Sequence, residues 1–107
     1  MIYEVRTYTC KVGFVQRQLA FYREHGFEVQ SRILGAPVLF GVTEVGELNT
    51  YIHIWAYESH ADREARRAAL MAEPAWRAYL QRSEEVDYLI GQATTLYNAF
   101  PMAPRAA

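Results

Sequence analysis

Thr50-Tyr51-Ile52-His53-Ile54-Trp55-Ala56-Tyr57 divides into two interleaved sets: Tyr51, His53, Trp55 and Tyr57 carry rings, while Ile52, Ile54 and Ala56 are aliphatic. Successive side chains of a strand point to opposite faces of the sheet, and β-branched and aromatic residues favour that conformation. The stretch therefore reads as a strand with one ring-bearing face and one aliphatic face. A strand half in water alternates apolar with polar residues. This one does not, so both of its faces need cover.

Reading backwards, Gly46-Glu47-Leu48-Asn49 is a turn, and Val38 to Val45 forms a second strand in a hairpin with the first. Before it, Val15, Leu19, Tyr22, Gly26, Val29 and Ile33 recur at spacings of 4, 3, 4, 3 and 4, one stripe of a single helix closed by Gly35-Ala36-Pro37. Gly26 in mid-stripe marks a kink or a close backbone approach. Ile2 to Thr9 is rich in β-branched and aromatic residues and reads as the opening strand.

Reading forwards, Ser59-His60-Ala61-Asp62 resembles a capping box ahead of a helix rich in Ala and Arg. Its buried stripe is read as Ala61, Ala65, Ala68 or Ala69, and Ala72, and Asp62 and Arg66 form an i,i+4 pair. Arg63, Arg66 and Arg67, interleaved with Asp62 and Glu64, read as a solvated face. Pro74 breaks or kinks the element, a shorter helical piece resumes through Trp76, Tyr79 and Leu80, and Ala93 to Ala99 is a last, edge-like strand. The order β-α-β-β-α-β is the ferredoxin-like split arrangement, an α+β fold with one four-stranded antiparallel sheet and its helices on one face. The domain is expected to span residues 1–101, with residues 102–107 as a loose tail.

The helices cover one sheet face. The other falls to a second copy of the chain, so a homodimer with the two sheets face to face, a dimeric α/β barrel, is expected. Composition points the same way. A length of 107 residues is one domain, yet aromatics are 14% of it and eight are tyrosine. Each such ring buries about 150–250 Å² when enclosed, which asks for more interior than one chain supplies. With 51% apolar and 21% charged residues the chain is of globular composition. No apolar run approaches the ~20 residues of a membrane span, and Met1-Ile2-Tyr3-Glu4 does not open a secretory signal, so a cytoplasmic location is expected. A net charge of -1 argues against a nucleic-acid partner, and the single Cys10 excludes an intrachain disulfide and a Cys-rich zinc site.

Three blocks of this sequence resemble one family. IYEVRTYTCKVG, from Ile2 to Gly13, is similar to the opening of NIPSNAP-domain proteins, usually of the form YELRTYTLKPG. HIWAYESHADREARRAAL, from His53 to Leu70, and EPAWRAYL, from Glu73 to Leu80, resemble that domain's most distinctive stretch. The blocks occur in the family's order and the resemblance runs from about Ile2 to Pro101, with Val12 standing where the family usually has proline. It implies the dimeric α/β-barrel fold and brings no general catalytic motif. Related barrels include cofactor-independent monooxygenases, aromatic polyketide cyclases, lactone isomerases and haem-degrading enzymes, which is analogy of fold alone.

The candidate site residues follow from the faces. His53, beside Tyr51 and Trp55, is either a general base or ligand contact, or a hydrogen-bonded histidine of the dimer core. His25 shares a second helix stripe with Gln18, Phe21, Glu28 and Arg32, and either points into a pocket between helix and sheet or stays on a solvated flank. His60, at a helix start, reads as a surface residue. Arg6, on the face of Glu4 and Tyr8, either pairs with Glu4 or binds an anionic ligand group, and Arg32 either meets a ligand carboxylate or pairs with Glu28. The histidines lack the close spacing of a metal site, and no phosphate loop, dinucleotide fingerprint or nucleophile elbow is present. Two functions remain in view. One is a small-molecule enzyme without a bound cofactor, its catalytic groups His53, His25 and Tyr8, its substrate contacts Tyr22, Arg32, Tyr51, Trp55, Arg6 and Trp76. Its substrate would be aromatic or polyketide-like and its chemistry oxygenation, isomerisation, dehydration or cyclisation by proton transfer. The other is a non-catalytic dimeric binding or scaffold protein with a filled interior.

Overall fold

The computed structural model describes residues 1–102, and the rest of the tail, residues 103–107, lies outside the described residues. The elements are β1 (Ile2–Cys10), α1 (Val15–His25), α2 (Phe27–Leu34), β2 (Leu39–Val42), β3 (Thr50–Tyr57), α3 (His60–Ala72), α4 (Pro74–Val86) and β4 (Leu89–Asn98). The strands form one sheet in the order β2-β3-β1-β4, with every neighbouring pair antiparallel. This is the expected ferredoxin-like α+β fold. β2 is shorter than its reading, because Val38, Thr43 and Val45 fall outside the ladder, and β4 is longer, starting at Leu89.

The ring-bearing face of β3 is the one under the helices. Tyr51, His53, Trp55 and Tyr57 are buried, whereas Ile52, Ile54 and Ala56 are only half-buried. Register carries the division across the sheet. Glu4, Arg6 and Tyr8 lie opposite Trp55, His53 and Tyr51, on the helix side. Tyr3, Val5 and Thr7 lie opposite Ala56, Ile54 and Ile52, on the open side. The open side is thus apolar and the covered side carries the polar groups, the reverse of a soluble half-sheet. His53 accordingly sits beneath this chain's own helices and not on the face left for a second copy.

The first helical stretch is two helices, not one. At Gly26 the backbone turns to φ -125°, although the bonds Gly26 N–H to Tyr22 O and Gln30 N–H to Gly26 O carry backbone hydrogen bonding across the join. A Cβ placed there would lie 2.9 Å from two ring carbons of Tyr79 and 3.0 Å from one of Tyr22, so Gly26 is both the kink and the close approach. Tyr79 cannot easily yield, because it stacks on Phe21 and Trp76 at centroid distances of 5.5 and 4.9 Å. Gly26→Ala is therefore expected to lose more by overpacking, about 1–3 kcal/mol, than the ~1 kcal/mol of helix propensity it gains. Thermal unfolding checks this, with a lower midpoint as the expected result.

The third helix corrects its reading. Ala61, Ala65, Ala68, Ala69 and Ala72 are all exposed. The side facing the sheet carries Arg63, Arg66, Arg67 and Leu70, with only Leu70 fully buried. Arginine turns inward here because buried acceptors await it, Glu4 for Arg63 and the Leu34 carbonyl for Arg66. The predicted cap holds, with Ser59 Oγ accepting from Asp62 N–H at 3.1 Å, and Asp62 and Arg66 pair at 2.9 Å. Glu73 N-caps α4 and Pro74 occupies its first turn, where the missing N–H costs nothing. No helix among the described residues is long and apolar enough to cross a membrane.

Candidate functional site

Across the helix side of the sheet the strand registers line up rows of side chains. Phe40, His53 and Arg6 form one row, and Val42, Tyr51, Tyr8 and Gln92 the next. Most are flat groups and they stack. Tyr8 lies 5.2 Å from Tyr51 and 5.1 Å from His53, with interplanar angles of 12° and 15°, and Phe40 lies 5.1 Å from His53. Above them α3 and α4 stand off from β4, leaving a cavity of about 570 Å³, within the range of small-molecule sites. Arg6, Tyr8, Tyr22, Gln30, Tyr51 and His53 line it from the sheet and from α1 and α2. Arg67, Met71, Trp76, Tyr79, Leu80 and Ser83 close it from α3 and α4. Glu84 and Asp87 flank it on the exposed side, and Leu89 to Gln92 form its β4 wall. A second hollow of about 320 Å³, beside β2, is lined by Leu19, Tyr22, Arg23, Phe27, Phe40 and Val42.

The polar groups of the cavity are mostly committed. The Trp55 indole N–H donates to His53 Nδ1. Indole nitrogen is a donor only, so Nδ1 holds the lone pair and Nε2 holds the proton of a neutral imidazole. Burial, reinforced by the positive charges of Arg6 and Arg67, pushes the His53 pKa down to about 3. Tyr22 donates to Gln30 Oε1 at 2.5 Å, and the hydroxyls of Tyr51 and Tyr79 meet the Gln18 amide at 3.1 and 3.4 Å. Burial raises the pKa of all three phenols, Tyr79 to about 12, which keeps them protonated. Tyr8 differs. It is only half-buried, and its oxygen accepts from Arg6 Nε at 3.0 Å, which leaves its O–H to donate elsewhere.

Beneath this row Glu4 is fully buried. Two Arg63 nitrogens reach its Oε2, Nε at 2.7 Å and Nη2 at 2.6 Å, while Tyr57 donates to Oε1 at 3.3 Å and Arg6 Nη1 lies 3.8 Å from it.

Of the residues singled out from sequence, His53, Tyr8, Tyr22, Tyr51, Arg6 and Trp76 line one cavity. Trp55 lies behind it, fully buried, as the donor to His53. His25 and Arg32 do not line it. His25 packs against Phe21 and sits 3.6 Å from Glu24, and Arg32 pairs with Glu28 at 3.1 Å. Arg67, Tyr79 and Gln30 are cavity residues that sequence reading missed. The 4, 3 spacing of Tyr22, Gly26 and Val29, with Gln30 beside it, signals the last of these, but nothing local marks Arg67. Among the described residues no three His, Cys, Asp or Glu side chains gather in a way that could hold a metal ion.

The NIPSNAP family model matches residues 3–104. The chain belongs to the NIPSNAP family. It is 36% identical over 75 residues to the protein NipSnap homolog of Dictyostelium discoideum, a match that covers 70% of this chain and 33% of that protein. This NIPSNAP chain thus spans about a third of the length of that curated relative. Its fold is similar to that of a NIPSNAP family protein of unknown function from Agrobacterium tumefaciens, with a TM-score of 0.88, 35% identity, and coverage of 97% of this chain and 92% of that one. An antibiotic biosynthesis monooxygenase shares the fold at a TM-score of 0.62 and 13% identity, covering 94% of this chain and all of the other. At that identity the likeness is one of fold.

Proposed function

We propose that this NIPSNAP domain binds a small planar molecule in the cavity between its sheet and α3 and α4, and acts on it by proton donation without a bound cofactor. The observation that carries the reading is the cavity itself, about 570 Å³ with stacked rings on its floor and two uncommitted proton donors, Tyr8 O–H and His53 Nε2–H. Flat rings favour a flat ligand by stacking. Donors aimed at a substrate carbonyl oxygen stabilise the negative charge that grows there as the neighbouring carbon gives its proton to solvent water, the enolisation from which isomerisation, dehydration, cyclisation and cofactor-free oxygenation can start. His53 serves here as a donor, since its lone pair is engaged and its pKa lies far below neutrality. The ligand class is aromatic or polyketide-like, and the protein's location is cytoplasmic.

Titration with 2-naphthol, followed by backbone amide NMR shifts, tests the reading. The residues that move are expected to be those of β1, β3 and α4 around the cavity. Ser83→Trp, which fills the cavity from its wall, is expected to abolish the shifts while leaving the fold intact. Absence of saturable shifts would favour the other reading, a scaffold whose interior takes no ligand.

The working unit is a homodimer. Tyr3, Val5, Ile52, Ile54 and Ala56 make an apolar strip on the face without helices, and Leu39 beside it is 48% exposed. Such a strip is a liability in a solitary chain. Light scattering at micromolar concentration is expected to return the mass of two chains, and Ile54→Glu, in mid-strip, the mass of one.

A further inference from the structure

Two guanidinium groups reach one buried carboxylate, and a third, which shares a cavity with one of them, has no partner. Glu4 is taken by Arg63 through two nitrogens and approached by Arg6 at 3.8 Å. Arg67 makes no hydrogen bond or ion pair among the described residues, and its Nη1 is sealed from solvent all the same. It reaches from α3 into the cavity that Arg6 enters from the floor. Glu84 and Asp87 also border the cavity, but neither lies within ion-pair distance of either arginine, and Asp87 is held by Lys11 at 3.1 Å. A desolvated cation without a counterion is costly, and the cost falls when an anion arrives. Burial, then the charge of Arg6, lower the Arg67 pKa by more than the attraction of Glu4 raises it.

On the reading that this cavity is a ligand site, we propose that Arg67 and Arg6 form its anion-binding end and that the ligand is a planar organic acid whose carboxylate sits on the two guanidinium groups. A guanidinium presents paired N–H donors that match a carboxylate's two oxygens, and the stacked rings of Tyr8, Tyr51 and His53 accept the flat body. Arg6 is already tethered through Nε to Tyr8, so the acid group is delivered next to the free Tyr8 O–H. The ligand's charge thus fixes its orientation.

2-Naphthoate and its neutral isostere 2-naphthamide separate the acid requirement from the cavity. By calorimetry at low salt, naphthoate is expected to bind the wild type on the order of tenfold more tightly than naphthamide. Added sodium chloride is expected to weaken naphthoate alone. Arg67→Met, close in length and uncharged, is expected to erase the preference while keeping the naphthamide affinity, and its unliganded thermal midpoint is expected to equal or exceed that of the wild type. Equal affinities for the two probes in the wild type would overturn the acid proposal and leave the cavity reading standing. An unstable Arg67→Met that keeps the preference would overturn it too, by showing the guanidinium to be structural. Failure of both probes to bind at millimolar concentration would remove the cavity reading and this proposal with it.

Discussion

Glu4→Leu is expected to destabilise the protein by about 3–5 kcal/mol, the usual cost of removing one member of a buried ion pair. Glu4 is fully buried, and it is the acceptor for two Arg63 nitrogens and for the Tyr57 hydroxyl. Leucine would leave Arg63, Arg6 and Arg67 close together with no carboxylate among them. The loss of charge, not of volume, sets the magnitude. Glu4→Gln, which keeps the shape and an acceptor for Tyr57, is therefore expected to lose less. The double variant Glu4→Leu/Arg63→Met is expected to recover part of the loss, because it also removes the stranded cation. Urea denaturation at fixed protein concentration measures all three. A Glu4→Leu protein within about 1 kcal/mol of the wild type would mean that water reaches these guanidinium groups and replaces the carboxylate.

The second large effect is on pH. His53 titrates near 6.5 in the unfolded chain, and burial, then Arg6 and Arg67, hold it to about 3 in the folded one. Between those values the unfolded state binds a proton that the native state does not, so stability rises with pH. The contribution is complete above pH 6.5 and is lost as the pH falls towards 3. One proton corresponds to about 1.4 kcal/mol per pH unit. From pH 6 to pH 4.5 the wild type is thus expected to lose about 2 kcal/mol more than His53→Gln, whose amide oxygen still accepts from Trp55 but does not titrate. Denaturation curves at the two pH values supply the comparison. Equal losses in the two proteins would show that His53 takes up its proton in place.

The two effects share a cause. The helix side of the sheet is packed with polar groups that interact mostly with one another: Glu4 with Arg63, Trp55 with His53, Tyr22 with Gln30. Each is stable only while its partner stays in place. The apolar strip lies on the opposite face, where a second chain is proposed to cover it.

This arrangement was partly legible in the sequence. The alternation of Thr50 to Tyr57 sets a ring-bearing face against an aliphatic one whatever the tertiary structure, because strand geometry allows no other placement. The helix stripe through Tyr22 and Val29, the Ser59 cap and the break at Pro74 are equally local, and with them the order of elements and the fold follow. The resemblance of Ile2 to Gly13 and of His53 to Leu80 to the NIPSNAP domain agrees with the family match over residues 3–104.

Period two divides residues into two sets but does not say which set lies under the helices. The ring-bearing face of β3 could as well have met a second copy, and only the docking of α1 to α4 put His53, Tyr8 and Arg6 in one cavity. The third helix makes the point more sharply. Its five alanines spaced like a core stripe turned outward, and its arginines turned in, because Glu4 and the Leu34 carbonyl, 59 and 32 residues away from Arg63 and Arg66 in the chain, offer acceptors that alanine cannot use. The sequence by itself determined the order of strands and helical stretches, though not all of their bounds, since that order depends on contacts a few residues apart. Tertiary structure alone decided the inward arginines and the cavity, since a buried charge is stable only where a distant partner is brought to meet it.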